Sequence, residues 1–152
     1  MNQLKRESPI QGEPWISIHD MHISQIICRE KSVVFYFENG FDLIDNGQLI
    51  HKSKGRIELL GCNSSDLSCN IIKRRATRNG EKLYGRSASL EEINQMISKG
   101  KKIVEIFLEL NDFNHFYWRG ELLPYNRISK HLLAPIVTFE TMGFFPMIYS
   151  WE

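Results

Sequence analysis

Three Asn-Gly pairs, Asn39-Gly40, Asn46-Gly47 and Asn79-Gly80, constrain this chain more than any other feature of its sequence. A two-residue type I′ hairpin turn requires positive φ at both central positions, and asparagine followed by glycine meets that requirement at the lowest steric cost. Asn39-Gly40 separates residues 32–38 (SVVFYFE) from 41–44, Asn46-Gly47 follows almost at once, and Asn79-Gly80 separates 70–77 from 82–86. Consecutive tight turns between extended segments imply an antiparallel meander.

Side-chain alternation points the same way, because a half-buried strand alternates apolar with polar residues. In residues 102–110, Val104, Ile106, Leu108 and Leu110 fall on one face, with Glu105 and Glu109 on the other beside Ile103 and Phe107. After the turn-like residues 111–114 (NDFN), Phe116, Trp118 and Leu122 alternate with His115, Tyr117, Arg119 and Glu121, the second arm of a hairpin. Residues 22–29 and 32–38 form a further extended pair. Residues 133–141 and 144–151 read as two last strands, which Pro135 and Pro146 demote to edge or irregular strands because proline cannot donate to a ladder.

One helix is signalled, over residues 90–99. Ser89 and Glu92 have capping-box spacing, Gly100 stands at the C′ position, and Leu90, Ile93 and Ile97 make an apolar stripe that Met96 widens. About ten residues of helix beside roughly nine short strands define a β-rich α+β chain, a meander curled into a sheet or partly open barrel with the helix packed on it.

The 152 residues suit one domain, with 1–14, which contain Pro9 and Pro14, as an extended N-terminal arm and 15–152 as a single globular unit. A charged fraction of 24% that nets only +1 argues against both a disordered chain and a strongly basic nucleic-acid binder. The apolar runs fall short of the roughly 20 residues of a membrane helix, and the basic pair near the N-terminus has no apolar segment behind it. The expected compartment is therefore the cytoplasm, with no membrane partner. Cys28, Cys62 and Cys69 are odd in number and include no CxxC pair, so they read as small buried hydrophobes rather than disulfides or zinc ligands. No metal and no cofactor is expected.

Four groups of side chains are candidates for function. His19, Asp20 and His22 cluster, but on a strand His19 and His22 point to opposite faces and Asp20 suits a turn. Lys73, Arg74, Arg75 and Arg78, with Lys82 and Arg86 across the Asn79-Gly80 turn and Tyr84 nearby, concentrate positive charge on a hairpin suited to an acidic or phosphorylated protein more than to nucleic acid. His115, Tyr117 and Arg119 share a strand face and could meet Glu105 or Glu109, although cross-strand pairs of this kind also merely stabilise an exposed sheet. Finally, aromatics exceed what one core of this size requires, and the C-terminal run with Phe144, Phe145, Tyr149 and Trp151 has the character of an interface.

The runs at residues 15–23 (WISIHDMHI) and 33–41 (VVFYFENGF) resemble the opening of small β-rich proteins of low-GC Gram-positive bacteria. The resemblance brings no activity with it. It implies a compact intracellular domain, and some proteins of this general kind act as immunity partners of secreted toxins. The leading expectation is thus a non-enzymatic protein-binding module, immunity-type or regulatory, that uses Phe144, Phe145, Tyr149, Trp151, Arg74 and Arg75 and is able to form homo-oligomers. The alternative is a small-molecule-binding or hydrolytic β-barrel whose mouth gathers His19, His22, His115 and Glu105.

Overall fold

The computed structural model describes residues 2–7, 13–111, 116–125 and 133–152. Within them the strands are β1 (Asn2–Arg6), β2 (Trp15–Ser17), β3 (His22–Cys28), β4 (Ser32–Phe37), β5 (Phe41–Asp45), β6 (Gln48–Lys52), β7 (Gly55–Leu60), β8 (Leu67–Thr77) and β9 (Gly80–Ala88). The helix α1 (Leu90–Ser98) follows, then β10 (Lys102–Asn111), β11 (Phe116–Pro124), β12 (Ile136–Thr141) and β13 (Met147–Trp151). Ten strands form one sheet in the order β1-β13-β7-β4-β3-β10-β11-β12-β8-β9, and β2, β5 and β6 form a second. All pairings are antiparallel. This is the expected α+β curled sheet, and it does not close: β1 and β9 are its two ends.

The curl is visible in the core. Phe35 on β4 meets Trp118 on β11 and Phe139 on β12 edge to face, with centroids 5.1 and 5.6 Å apart, although two to three strands separate them along the sheet. Burial of these rings, with Ile23, Val33, Ile57, Leu59, Val104, Ile106 and Val137, is what draws the two halves together.

The three Asn-Gly pairs take three different roles. Asn46 and Gly47, at φ 51° and 73°, make the expected two-residue turn between β5 and β6. At Asn39-Gly40 the chain does turn, with Gly40 N donating to Phe37 O at 3.1 Å, but β4 and β5 lie in different sheets. The expected hairpin is therefore a corner, and Phe41 explains it. Its fully buried ring packs edge to face on Phe37, Tyr149 and Trp151, pulling the chain off the large sheet and fastening the small one over the end of the core. Gly55 makes the room, since a Cβ there would lie 2.1 Å from the Phe41 ring. In the third case the ladder pairs Thr77 with Gly80, so the loop residues are Arg78 and Asn79, one position earlier than the pair itself.

A β-bulge overturns the expected faces of residues 102–110. The register against β11 shifts between Ile106 and Leu108, so the extra residue, Phe107, reverses the alternation beyond it. Val104 and Ile106 stay in the core, but Leu108 and Leu110 swing outward and Glu109, paired with Trp118, turns inward.

The helix forms where expected. Ser89 Oγ accepts from Glu92 N at 3.1 Å, Leu90, Ile93 and Ile97 are buried, and the left-handed residue after it is Lys101 at φ 49° rather than Gly100. It lies against β3 and β10, which pair only at Ile23–Val104 and His22–Glu105; where they part, Asn94 Oδ1 accepts from Ile26 N at 2.9 Å, replacing a missing strand neighbour. The last two strands are not edges. β12 lies between β11 and β8, and β13 between β1 and β7. Pro135 and Pro146 stand just ahead of them, where a missing N–H costs nothing and the carbonyls still accept, from Leu122 N and Leu60 N, each at 2.9 Å.

Candidate functional site

The ten-stranded sheet ends in a ribbon that leaves the core. β12 covers β8 only as far as the Ile136–Ile72 pair; beyond it, residues 73–77 have β9 as their sole described strand partner. Side chains opposite each other share a face, so Lys73 with Tyr84 and Arg75 with Lys82 continue the inner face that Leu67, Cys69 and Ile71 bury further back. The other face carries Arg74 beside Leu83 and Ala76 beside Glu81. Along β9 every residue but Ala88 is exposed, with Leu83 62% and Tyr84 50% accessible.

The two faces differ electrostatically. On the outer one, Arg74 is satisfied: its Nε donates to Ala134 O at 3.0 Å, and Glu81 and Glu121 stand 3.7 and 3.8 Å away. On the inner one, Arg75 lies over the Tyr84 ring, 5.7 Å from its centroid, and among the described residues no carboxylate comes within salt-bridge distance of Lys73, Arg75 or Lys82. Arg86, farther along, is held by Glu92 at 2.6 Å, a bond that raises its pKa and lowers that of Glu92. Six cations fall within residues 73–86 against one carboxylate, Glu81, although the whole chain nets +1; the positive field is local to the ribbon.

The C-terminal aromatics divide. Trp151 is 8% exposed and Tyr149 half-buried, both on the Phe41 ring, and Phe145 packs on the core, whereas Phe144 is 43% exposed. Arg74, Phe145, Tyr149 and Trp151 thus make contacts within the fold, and of the six residues singled out in the sequence Arg75 and Phe144 are the exposed ones. A second apolar row, exposed Trp15 and Leu49 with half-buried Ile44 between them, crosses the small sheet in register.

His19 and His22 hold different partners. His22 Nε2 lies 3.2 Å from Glu105 and its Nδ1 3.8 Å from Glu38, on the outer face of the sheet. His19 pairs with the adjacent Asp20, which at φ 64° is the turn residue its short carboxylate suits. His115 lies outside the described residues. The interior carboxylate that sequence reasoning placed on the wrong face is Glu109, which accepts from Ser17 Oγ at 2.6 Å and from Ile18 N at 3.1 Å. Burial pushes its pKa up, and those two bonds oppose the rise. Among the described residues, no group of three His, Cys, Asp or Glu side chains is placed to hold a metal, and no helix is long and apolar enough to cross a membrane.

Two cavities are lined wholly by described residues. One, of about 310 Å³, lies over Gln25, Tyr36, Lys54 and Arg56; the other, of about 340 Å³, follows the gap between β3 and α1 beside Asn94. No protein-family model matches this chain, nor does any curated protein or solved structure.

Proposed function

We propose that the protein is a non-enzymatic protein-binding module whose partner docks on the β8–β9 ribbon. The observation that carries this is the edge of β9, which has no strand neighbour beyond β8 among the described residues and is exposed along almost all of its nine residues. Unpaired strand edges recruit other chains unless they are covered, and this one carries exposed Tyr84 and Leu83 with Arg75 on the strand behind; Tyr and Arg are residue types that dominate interface energetics. The reading is compatible with an immunity-type or regulatory role in a bacterial cytoplasm, as the resemblance of residues 15–23 and 33–41 implies.

The test is affinity capture with the tagged full chain from nuclease-treated host lysate, comparing wild type with the Arg75→Glu/Lys82→Glu double variant and with Leu49→Ser on the small sheet. A stoichiometric protein retained by wild type and Leu49→Ser but lost from the double variant supports the ribbon. Identical eluates from all three, with thermal melts unchanged, remove it.

A further inference from the structure

Resting on that reading, we propose that the edge of β9 takes up an acidic, extended segment of another protein as an eleventh strand. The hairpin fixes which backbone groups are available. With Arg78 and Asn79 as its loop, Thr77 and Gly80 close the ladder as a hydrogen-bonded pair, and pairing type alternates from there. Lys82, Tyr84 and Arg86 therefore direct their N–H and C=O toward β8, while Glu81, Leu83, Gly85 and Ser87 direct theirs to open solvent. Donors and acceptors alternate along this edge, which is the pattern a peptide strand satisfies; a phosphodiester backbone has no donors for the carbonyls.

Side chains specify the occupant further. Residues of an added strand would alternate between the two faces. On the inner face they meet Lys82 and Tyr84, with Lys73 and Arg75 one strand behind, three cations without a carboxylate among the described residues and one aromatic ring. Acidic side chains fit there. On the outer face they meet Leu83 and Gly85, where the absent Cβ leaves Ile72 Cγ1 3.8 Å below the position it would fill. Apolar side chains fit there. The chemistry recognised is thus a strand alternating acidic with apolar residues. A second copy of this chain is a poor occupant, because a twofold β9–β9 pairing would bring two sets of unneutralised cations together.

The test uses the full chain and a capped peptide of roughly ten residues, a length suited to strand addition, that alternates glutamate with valine and threonine, beside a lysine-for-glutamate counterpart and an oligothymidylate of similar length. Binding is read by anisotropy, and the site by amide hydrogen exchange. The expected result is binding of the acidic peptide alone, slowed exchange at Leu83, Gly85 and Ser87, and affinity reduced roughly tenfold by Arg75→Glu/Lys82→Glu. Gly85→Pro, which removes an outward N–H, should abolish binding; the charge variant covers the case in which it fails to fold. Equal binding of both peptides, protection confined to other strands, or tighter binding of oligothymidylate overturns the inference. If the acidic peptide fails while the double variant still loses a captured partner, strand addition is refuted and the protein-binding reading stands. If both fail, both fall.

Discussion

Replacing Gly55 with alanine tests whether Phe41 is what fastens the small sheet to the large one. An added Cβ would stand 2.1, 2.3 and 2.8 Å from three atoms of the Phe41 ring. The ring has no room to retreat, being fully buried among Phe37, Tyr149 and Trp151. Overpacking of this kind costs about 1–3 kcal/mol. Removing a glycine from a strand returns about 0.5–1 kcal/mol. The net loss should be about 1–2 kcal/mol, or about 2–8 °C in Tm for a chain of this length. Phe41→Leu, costing about 1–3 kcal/mol alone, takes away the ring atoms that collide. In that background Gly55→Ala should keep only the gain of about 0.5–1 kcal/mol from losing a strand glycine, a coupling of about 1–3 kcal/mol in a double-mutant cycle. Urea unfolding followed through the buried Trp118 and Trp151 reads all four species. Additivity within about 0.5 kcal/mol would refute the close approach as the cause.

Further outcomes follow from buried ionisable groups. Burial raises the pKa of Glu109, so the folded state favours its protonated form more than the unfolded chain does; the stability this contributes is present at low pH and lost as pH rises through the raised value. Glu109→Gln, whose amide oxygen can still accept from Ser17 and Ile18, should flatten that dependence and leave the protein at least as stable at neutral pH, with urea midpoints across about pH 4–8 as the measure. An equal loss at every pH would contradict it. Burial also pushes the thiols of Cys62 and Cys69 up to about 12, and that of the half-buried Cys28 upward. Alkylation of the folded protein near pH 8 should therefore label Cys28 first and slowly, and all three only after denaturation; labelling of Cys69 at the rate of Cys28 would show that the core opens there.

The parts of the fold legible in the sequence are those fixed by neighbours a few residues apart. Ser89, Leu90, Ile93 and Ile97 specify α1 by themselves, and Asn46-Gly47 specifies its turn. Partner choice between distant strands left no local trace. Residues 41–45 look like the second arm of a hairpin with β4, and only the match between the Phe41 ring and the space over Gly55 sends them to another sheet. The proline rule failed for β12 and β13 because it concerns residues within a ladder, and Pro135 and Pro146 precede theirs. Phe107 is harder still. A bulge is one residue left unpaired, and in the run 102–110 it leaves the alternation of residue types intact while reversing the faces of Leu108, Glu109 and Leu110.

The ribbon was half legible, and the missing half lies in phase rather than composition. The density of arginine and lysine around Asn79-Gly80 is plain in the sequence, but which of them are free depends on where β12 ends. Up to Ile72 the odd-numbered residues of β8, Leu67, Cys69 and Ile71, face the core; past the last β12 pair the same parity continues as the exposed Lys73 and Arg75, beside Tyr84 and Lys82 of β9. The even-numbered Arg74 falls instead beside Glu121, whose place on the outer face is set by the β11–β12 register. One residue of slip in β8 would exchange them, placing Arg74 on the open face and burying Arg75 against the carboxylates. The separation of neutralised from exposed charge along this hairpin is therefore a consequence of sheet register, and that register is held by the core, since the same slip would turn Leu67, Cys69 and Ile71 outward.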